Sequence, residues 1–197
     1  MLSLLIRGGP VMVPLAFCSV LALAVIVERL WFYTGVARET ARFSAALERH
    51  DPQDREGLKR LCAGSQAPLA RVILAGLKHG NPHSESAAER QAATEVQALE
   101  RYLPALDSIV TLAPLLGLFG TVTGMIRSFG VLAREGIARP HMVTGGVAEA
   151  LVATATGLVI AIVAFAAHAW LQRMAEYQVF RMETVAGEIL ERGAVKP

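Results

Sequence analysis

The stretch MVTGGVAEALVATATGLVIAIVAFAAHAWLQ, residues 142–172, is apolar throughout except for one formal charge, Glu149. A hydrocarbon core of ~30 Å is crossed by about 20 apolar residues in a helix. In lipid a single segment satisfies its own backbone hydrogen bonds only as a helix. The stretch therefore predicts a membrane-spanning helix. A carboxyl group within it costs roughly 3 to more than 10 kcal/mol, by different measures, and persists where it faces a bundle interior or a watery path. Ion or proton movement, or force coupled to it, is the function such a group points to.

Two further apolar stretches lie upstream. Residues 108–126 carry no charge between Asp107 and Arg127, and residues 8–27 carry none before Glu28 and Arg29. Trp31, Phe32 and Tyr33 follow, the pattern of an interfacial anchor. No small-residue cleavage site is evident, so the first stretch reads as an uncleaved span. The chain is expected to be an all-α integral membrane protein with three transmembrane helices, at about 11–30, 108–126 and 143–171.

Most of the charge falls in the polar block 37–101, and a mixed tail follows Arg173. Amphipathic helices are expected over 40–50 and 85–103, the second from the stripe Ala92, Val96, Leu99, Leu103. That stripe runs almost without interruption into the second span, with Pro104 and Pro114 expected to kink rather than end the helix. Likewise the third span continues through Met174, Tyr177, Met182, Val185 and Ile189. The second and third helices should thus be long and extend into the cytoplasm. Turns are expected at Ala63-Gly64-Ser65 and Asn81-Pro82, and a link with Gly136 and Pro140 as breakers. The resulting organisation is 1–33, an N-terminal segment and first span; 34–104, a cytoplasmic helical domain; 105–172, a hairpin of the second and third spans; and 173–197, a cytoplasmic C-terminal helix.

Basic residues set the orientation. Arg29, Arg38, Arg42, Arg101, Arg173 and Arg181 border the polar block and tail, against Arg7, Arg134 and Arg139 on the other side, with Arg127 near the second span's end. The positive-inside bias places the N-terminus outside and the C-terminus in the cytoplasm.

Composition agrees with a membrane protein. Of 197 residues, 53% are hydrophobic and 18% charged, with mean hydropathy +0.43, where soluble domains carry about 25% charge. A net charge of +2 without basic–aromatic stripes excludes nucleic acid as a partner. Cys18 lies in an apolar run and Cys62 in a polar one, so both are expected as free thiols.

Small residues crowd the second and third spans. Gly117, Gly120 and Gly124 stand in LLGLFGTVTGMI, and Ala153 and Gly157 form a small-xxx-small series with Ala161. Their plain reading is close helix packing. Thr121, Thr123, Thr154 and Thr156 offer hydroxyls that hold water or relay a proton beside a carboxylate, or that bond their own helix carbonyls. At about 100° per residue, Ala153 and Thr156 share the Glu149 face, and Thr154 lies about 140° away. Antiparallel second and third spans would bring Thr121 and Thr123 towards Glu149. Asp107 and Arg127 read as anchors bracketing the second span.

Enzymatic chemistry finds no support. HExxH, a phosphate loop with lysine and GxSxG are all missing, and Ser19 and Ser108 have no recognisable base. His141 and His168 lack metal spacing with Glu149. No catalytic residue, metal or cofactor is expected. The alternative to proton movement is a helical membrane scaffold in which Glu149 only orients helices.

The segments LAPLLGLFGTVTGMIRSF (112–129) and GGVAEALVATATGLVIAI (145–162) resemble the MotA/TolQ/ExbB proton-channel family. GGPVMVPLAFCSVLALAVIVERLWF (8–32) resembles the first span of its ExbB and TolQ members, and the chain is nearer to that branch than to the flagellar-stator members. The resemblance implies a homo-oligomer, pentameric in the family, among the lipids of the bacterial inner membrane. It implies an ExbD- or TolR-like single-span subunit in the pore, bringing an essential aspartate, and a TonB- or TolA-like protein that spans the periplasm. Thr121, Glu149 and Thr154 match the family residues that line the inner face of the ring. Thr156 falls where the family is often aliphatic, and a short N-terminal segment is expected in place of the long outer extension of some members.

Overall fold

The computed structural model describes residues 8–51, 54–78, 84–135 and 140–194. Those residues form six helices and no strand: α1 Met12–Glu48, α2 Arg55–Ala63, α3 Pro68–Lys78, α4 Ser84–Glu100, α5 Leu103–Glu135 and α6 Pro140–Ala194. Three stretches are long and apolar enough to cross a membrane, in α1, α5 and α6. The expected turn at Asn81-Pro82, the breaker Gly136, and Arg7 and Arg139 lie outside the described residues.

The elements differ from the sequence expectation at two places. Residues 40–50 do not form a helix of their own, because α1 continues to Glu48. No proline interrupts it, and Gly35 stays helical. Conversely, the stripe through Leu99 and Leu103 is broken. Arg101 and Tyr102 form a turn with Tyr102 at φ 71°, a left-handed conformation unusual for a non-glycine residue. Pro104 then sits in the first turn of α5, where its missing N–H leaves no bond unmade. Pro114 lies within α5, which carries on past it. Pro140 opens α6 in the same way as Pro104 opens α5.

The described chain forms two compact units. One comprises the residues through Val27 with Tyr102–Trp170; the other comprises Glu28–Arg101 and the residues from Leu171 on.

The first unit is apolar outside and buries alanines together with a few large residues. Its buried positions include Leu15 and Ala22 of α1, Leu106, Ile109 and Ala113 of α5, and Ala150, Ala153, Ala161 and Ala164 of α6. Many large side chains point outward: Phe17, Val20 and Leu23; Leu118, Phe119, Val122 and Phe129; Leu158, Ile162 and Phe165. Water gives no reason to hide these groups when the solvent is itself hydrocarbon. Helices there associate through close backbone approach, which small residues permit.

In the second unit α3 is the centre, with Leu69, Ala70, Val72, Ile73 and Leu77 all buried. Around it lie Leu58 and Cys62 of α2, Ala87, Ala88 and Leu99 of α4, and Tyr33 of α1. Each large apolar side chain so buried stabilises by about 1.5–3 kcal/mol. Asp54 caps α2, its side chain accepting from the Gly57 N–H at 2.8 Å. Gly64 closes that helix with an ordinary φ of −84°, so the expected turn forms without using glycine's freedom.

Part of the aromatic cluster after the first span is turned inward. Arg29 is 2% exposed and Tyr33 1%, whereas Trp31 is 85% exposed. Arg29 Nη1 donates to the Ala98 carbonyl at 3.1 Å, and Tyr33 Oη to the Leu99 carbonyl at 2.7 Å. These carbonyls belong to the last turn of α4, where no intrahelical donor reaches them. A cation there also complements the negative end of the helix. The guanidinium lies 4.4 Å from the Phe32 ring centroid. The partners stand about 70 residues apart, which is why Arg29 and Tyr33 read as membrane anchors in the sequence.

One buried carboxylate of this unit was not singled out in the sequence. Glu95 of α4 is 4% exposed. It accepts from Arg71 Nη2 at 2.7 Å and from Gln91 Nε2 at 2.7 Å. Arg71→Ala removes the countercharge and leaves the carboxylate buried. Losing one partner of a fully buried pair costs roughly 3–5 kcal/mol. Half-exposed Arg71 places the expected loss lower, at about 2 kcal/mol. Faster amide exchange in α3 and α4 would register it.

Cys62 is fully enclosed, and burial pushes its thiol up to about 11. The folded thiol therefore stays protonated where an unfolded one, at about 8.5, has begun to ionise. The stability this gives is complete below the unfolded value and is lost as pH rises towards the folded one. At pH 8.5, Cys62 in the folded protein should be alkylated about a hundredfold more slowly than in denaturant.

Candidate functional site

Helices α5 and α6 of the membrane-type unit run antiparallel, and their glycines set the distance between them. A Cβ on Gly157 would fall 2.4 Å from the Ala113 carbonyl oxygen, and one on Gly117 3.0 Å from Thr154 Cα. Farther along, a Cβ on Gly120 would meet Ala153 Cβ at 2.5 Å, and one on Gly124 the Gly146 carbonyl at 2.9 Å. Gly146, absent from the sequence expectations, lies so close to Ser128 that a Cβ would sit 2.1 Å from its Oγ. The series 113, 117, 120, 124 and 128 on α5 thus meets 157, 154, 153, 150 and 146 on α6.

This register brings Arg127 level with Glu149. Arg127 Nη1 donates to Glu149 Oε1 at 2.9 Å, the side chains being 54% and 23% exposed. In the sequence Arg127 is simply the cation that ends an apolar run, and its pairing depends on the register of the hairpin. The paired charges present a smaller desolvation cost in lipid than either alone.

A third element reaches the same carboxylate. Gly9, just before α1, has φ +70°, and a Cβ built on it would fall 1.8 Å from Glu149 Oε1. Only glycine accepts both the conformation and the approach. Gly8-Gly9-Pro10 was part of the family-like first block, yet nothing in its local pattern pointed to Glu149.

The threonines divide. Thr154 Oγ1 donates across the hairpin to the Gly117 carbonyl at 2.9 Å. Thr121 Oγ1 donates within α5 to the Leu118 carbonyl at 2.7 Å, and Thr123 to Phe119 at 2.9 Å. Thr156 bonds the Val152 carbonyl of its own helix at 2.8 Å. Among the described residues no hydrogen bond joins Thr121, Glu149 and Thr154 to one another. Thr121 lies on an open apolar face of α5 with Val122, Met125, Ile126 and Phe129.

The chain is thus defined first as a three-span helical membrane protein with a charge-paired glutamate between closely packed spans. A model of the MotA/TolQ/ExbB proton channel family matches residues 64–184. The ExbB-like 3 protein of Synechocystis sp. is 36% identical over 161 residues, covering 79% of this chain and 77% of the relative. Biopolymer transport protein exbB1 of Vibrio cholerae is 30% identical over 181 residues, covering 86% and 78%. Tol-Pal system protein TolQ of Haemophilus influenzae is 43% identical over 74 residues, covering 38% and 32%. This chain belongs to the MotA/TolQ/ExbB proton channel family, in its ExbB/TolQ branch. It is a multi-pass inner-membrane protein of transport-motor type and not an enzyme.

Proposed function

We propose that this chain is the ring-forming subunit of a motor driven by the proton-motive force, and that it energises outer-membrane transport or envelope maintenance. The observation that carries this reading is Glu149, a carboxylate in an apolar span, paired with Arg127 of the neighbouring span. Copies of the chain form a homo-oligomer, a pentamer as in the family, embedded in membrane lipids. Glu149, Thr121 and Thr154 line its inner face, and Gly117, Gly120, Gly124, Ala153 and Gly157 hold the hairpin tight behind them. An ExbD- or TolR-like single-span subunit occupies the pore, and a TonB- or TolA-like protein carries force across the periplasm. The N-terminus is periplasmic and the C-terminus cytoplasmic, which the arginine bias supports.

Support for the pore assignment comes from open access to Thr121 and from partial exposure of Glu149 in the single chain. A helical scaffold draws on the same ion pair, since Arg127–Glu149 alone would orient two helices. Co-expression with a single-span protein bearing a membrane aspartate separates the two readings. The motor reading expects a stable complex that purifies through either subunit. A chain that purifies alone whenever the partner is present, at equal membrane levels, contradicts it.

A further inference from the structure

Both contacts that reach the Glu149 carboxylate from other elements fall on the same oxygen. Arg127 Nη1 donates to Oε1 at 2.9 Å, and Gly9 closes against Oε1 so tightly that a Cβ would sit 1.8 Å away. Oε2 makes no hydrogen bond among the described residues. A carboxylate held by one oxygen and walled on that side has a fixed direction, and its other oxygen is an acceptor that no described residue bonds.

We infer that Arg127 is the positioning residue for Glu149, that Gly9 is the wall keeping the carboxylate in place, and that Oε2 is the atom left to serve the proton-coupled step. This rests on the motor reading above. The physical case has three parts. First, an arginine brought into an apolar hairpin is costly, and here its charge is spent on one carboxylate oxygen. Second, the antiparallel register set by the small residues puts Arg127 and Glu149 at one level, so their meeting follows from backbone packing. Third, the turn at Gly9 adopts a left-handed φ at the residue that touches Oε1. A larger residue there would strain the backbone and displace the carboxylate together.

The assignment gives Arg127 and Gly9 an influence on function that acts through Glu149. It separates them from the glycines of the hairpin, which act through helix spacing.

The test uses the full chain co-expressed with its single-span partner, comparing wild type with R127Q, R127K, G9A and E149Q. Proton-gradient-dependent function is read relative to membrane level and partner co-purification. R127Q is expected to assemble normally and lose function about tenfold or more, the scale of a lost charged hydrogen bond. R127K is expected to recover to within about threefold of wild type, since it restores the charge without the planar fork. G9A should fall with R127Q. If E149Q abolishes function while R127Q and G9A stay at wild-type level, the inference is overturned and the motor reading stands. If E149Q itself retains function, the motor reading falls with it. Should R127Q fail to assemble, R127K decides: an assembled and active lysine variant supports the charge contact, and an assembled but inactive one overturns it.

Discussion

Glu149→Gln is expected to leave the chain folded, inserted and bound to its partner while proton-gradient-dependent function falls to below about a tenth of wild type. Glutamine keeps the side-chain length and still offers Arg127 a carbonyl oxygen. What it removes is the negative charge that balances Arg127 across the hairpin, together with any ability to bind and release a proton. Because the variant is nearly isosteric, the helix contacts through Ala150 and Ala153 have no reason to change. Function measured alongside membrane level and partner co-purification therefore isolates the charge. A scaffold in which Glu149 only orients helices would tolerate this substitution.

Gly157→Ala tests the spacing of the hairpin, and its effect should be on stability first. The added Cβ would lie 2.4 Å from the Ala113 carbonyl oxygen and 3.2 Å from Gly117 Cα. Both are backbone atoms, so no side-chain rotation relieves the clash and the two helices must move apart. Overpacking of this kind costs typically 1–3 kcal/mol. Separation also lengthens the Thr154–Gly117 hydrogen bond, one turn away. Gly187→Ala in the same helix is the control. Nothing lies within 4 Å of its would-be Cβ, and helix propensity alone predicts a gain of up to about 1 kcal/mol. The apparent melting temperature of the detergent-solubilised protein should fall for Gly157→Ala and hold or rise for Gly187→Ala.

What could be read in the sequence depended on how local its cause was. The three spans and the all-helical class follow from runs of apolar residues, since lipid leaves a single chain segment no other way to satisfy its backbone. The small-residue series was equally legible, because a membrane helix with glycine at every third or fourth position has few uses other than close approach. Glu149 stood out for its cost. Its partners did not. Arg127 ends an apolar run and reads as an anchor until the register of α5 against α6 places it beside Oε1. Gly9 lies some 140 residues from the carboxylate it walls, and periodicity carries no information over that distance. The same limit explains Arg29 and Tyr33, whose targets are carbonyls at the far end of α4.

The third span continues into the tail of α6 as expected, and the face it buries there is mixed in size. In the sequence the large residues Met174, Tyr177, Met182, Val185 and Ile189 alternate with charge. The buried positions are Leu171, Ala175, Gln178, Met182 and Ala186, with Tyr177 exposed. Large and small residues share the buried face there, so side-chain size alone does not pick it out. At Tyr102 the stripe through Leu99 and Leu103 concealed a turn, because a left-handed residue between two helices preserves their apolar pattern while breaking the chain between them.

Proton uptake by liposomes holding the chain together with its single-span partner, under an imposed membrane potential, addresses the central claim most directly. Wild type should acidify the lumen faster than empty liposomes, and Glu149→Gln in the same assembled complex should fall to the empty-liposome rate. Equal uptake by the two complexes would contradict the assignment of Glu149 to the proton-coupled step.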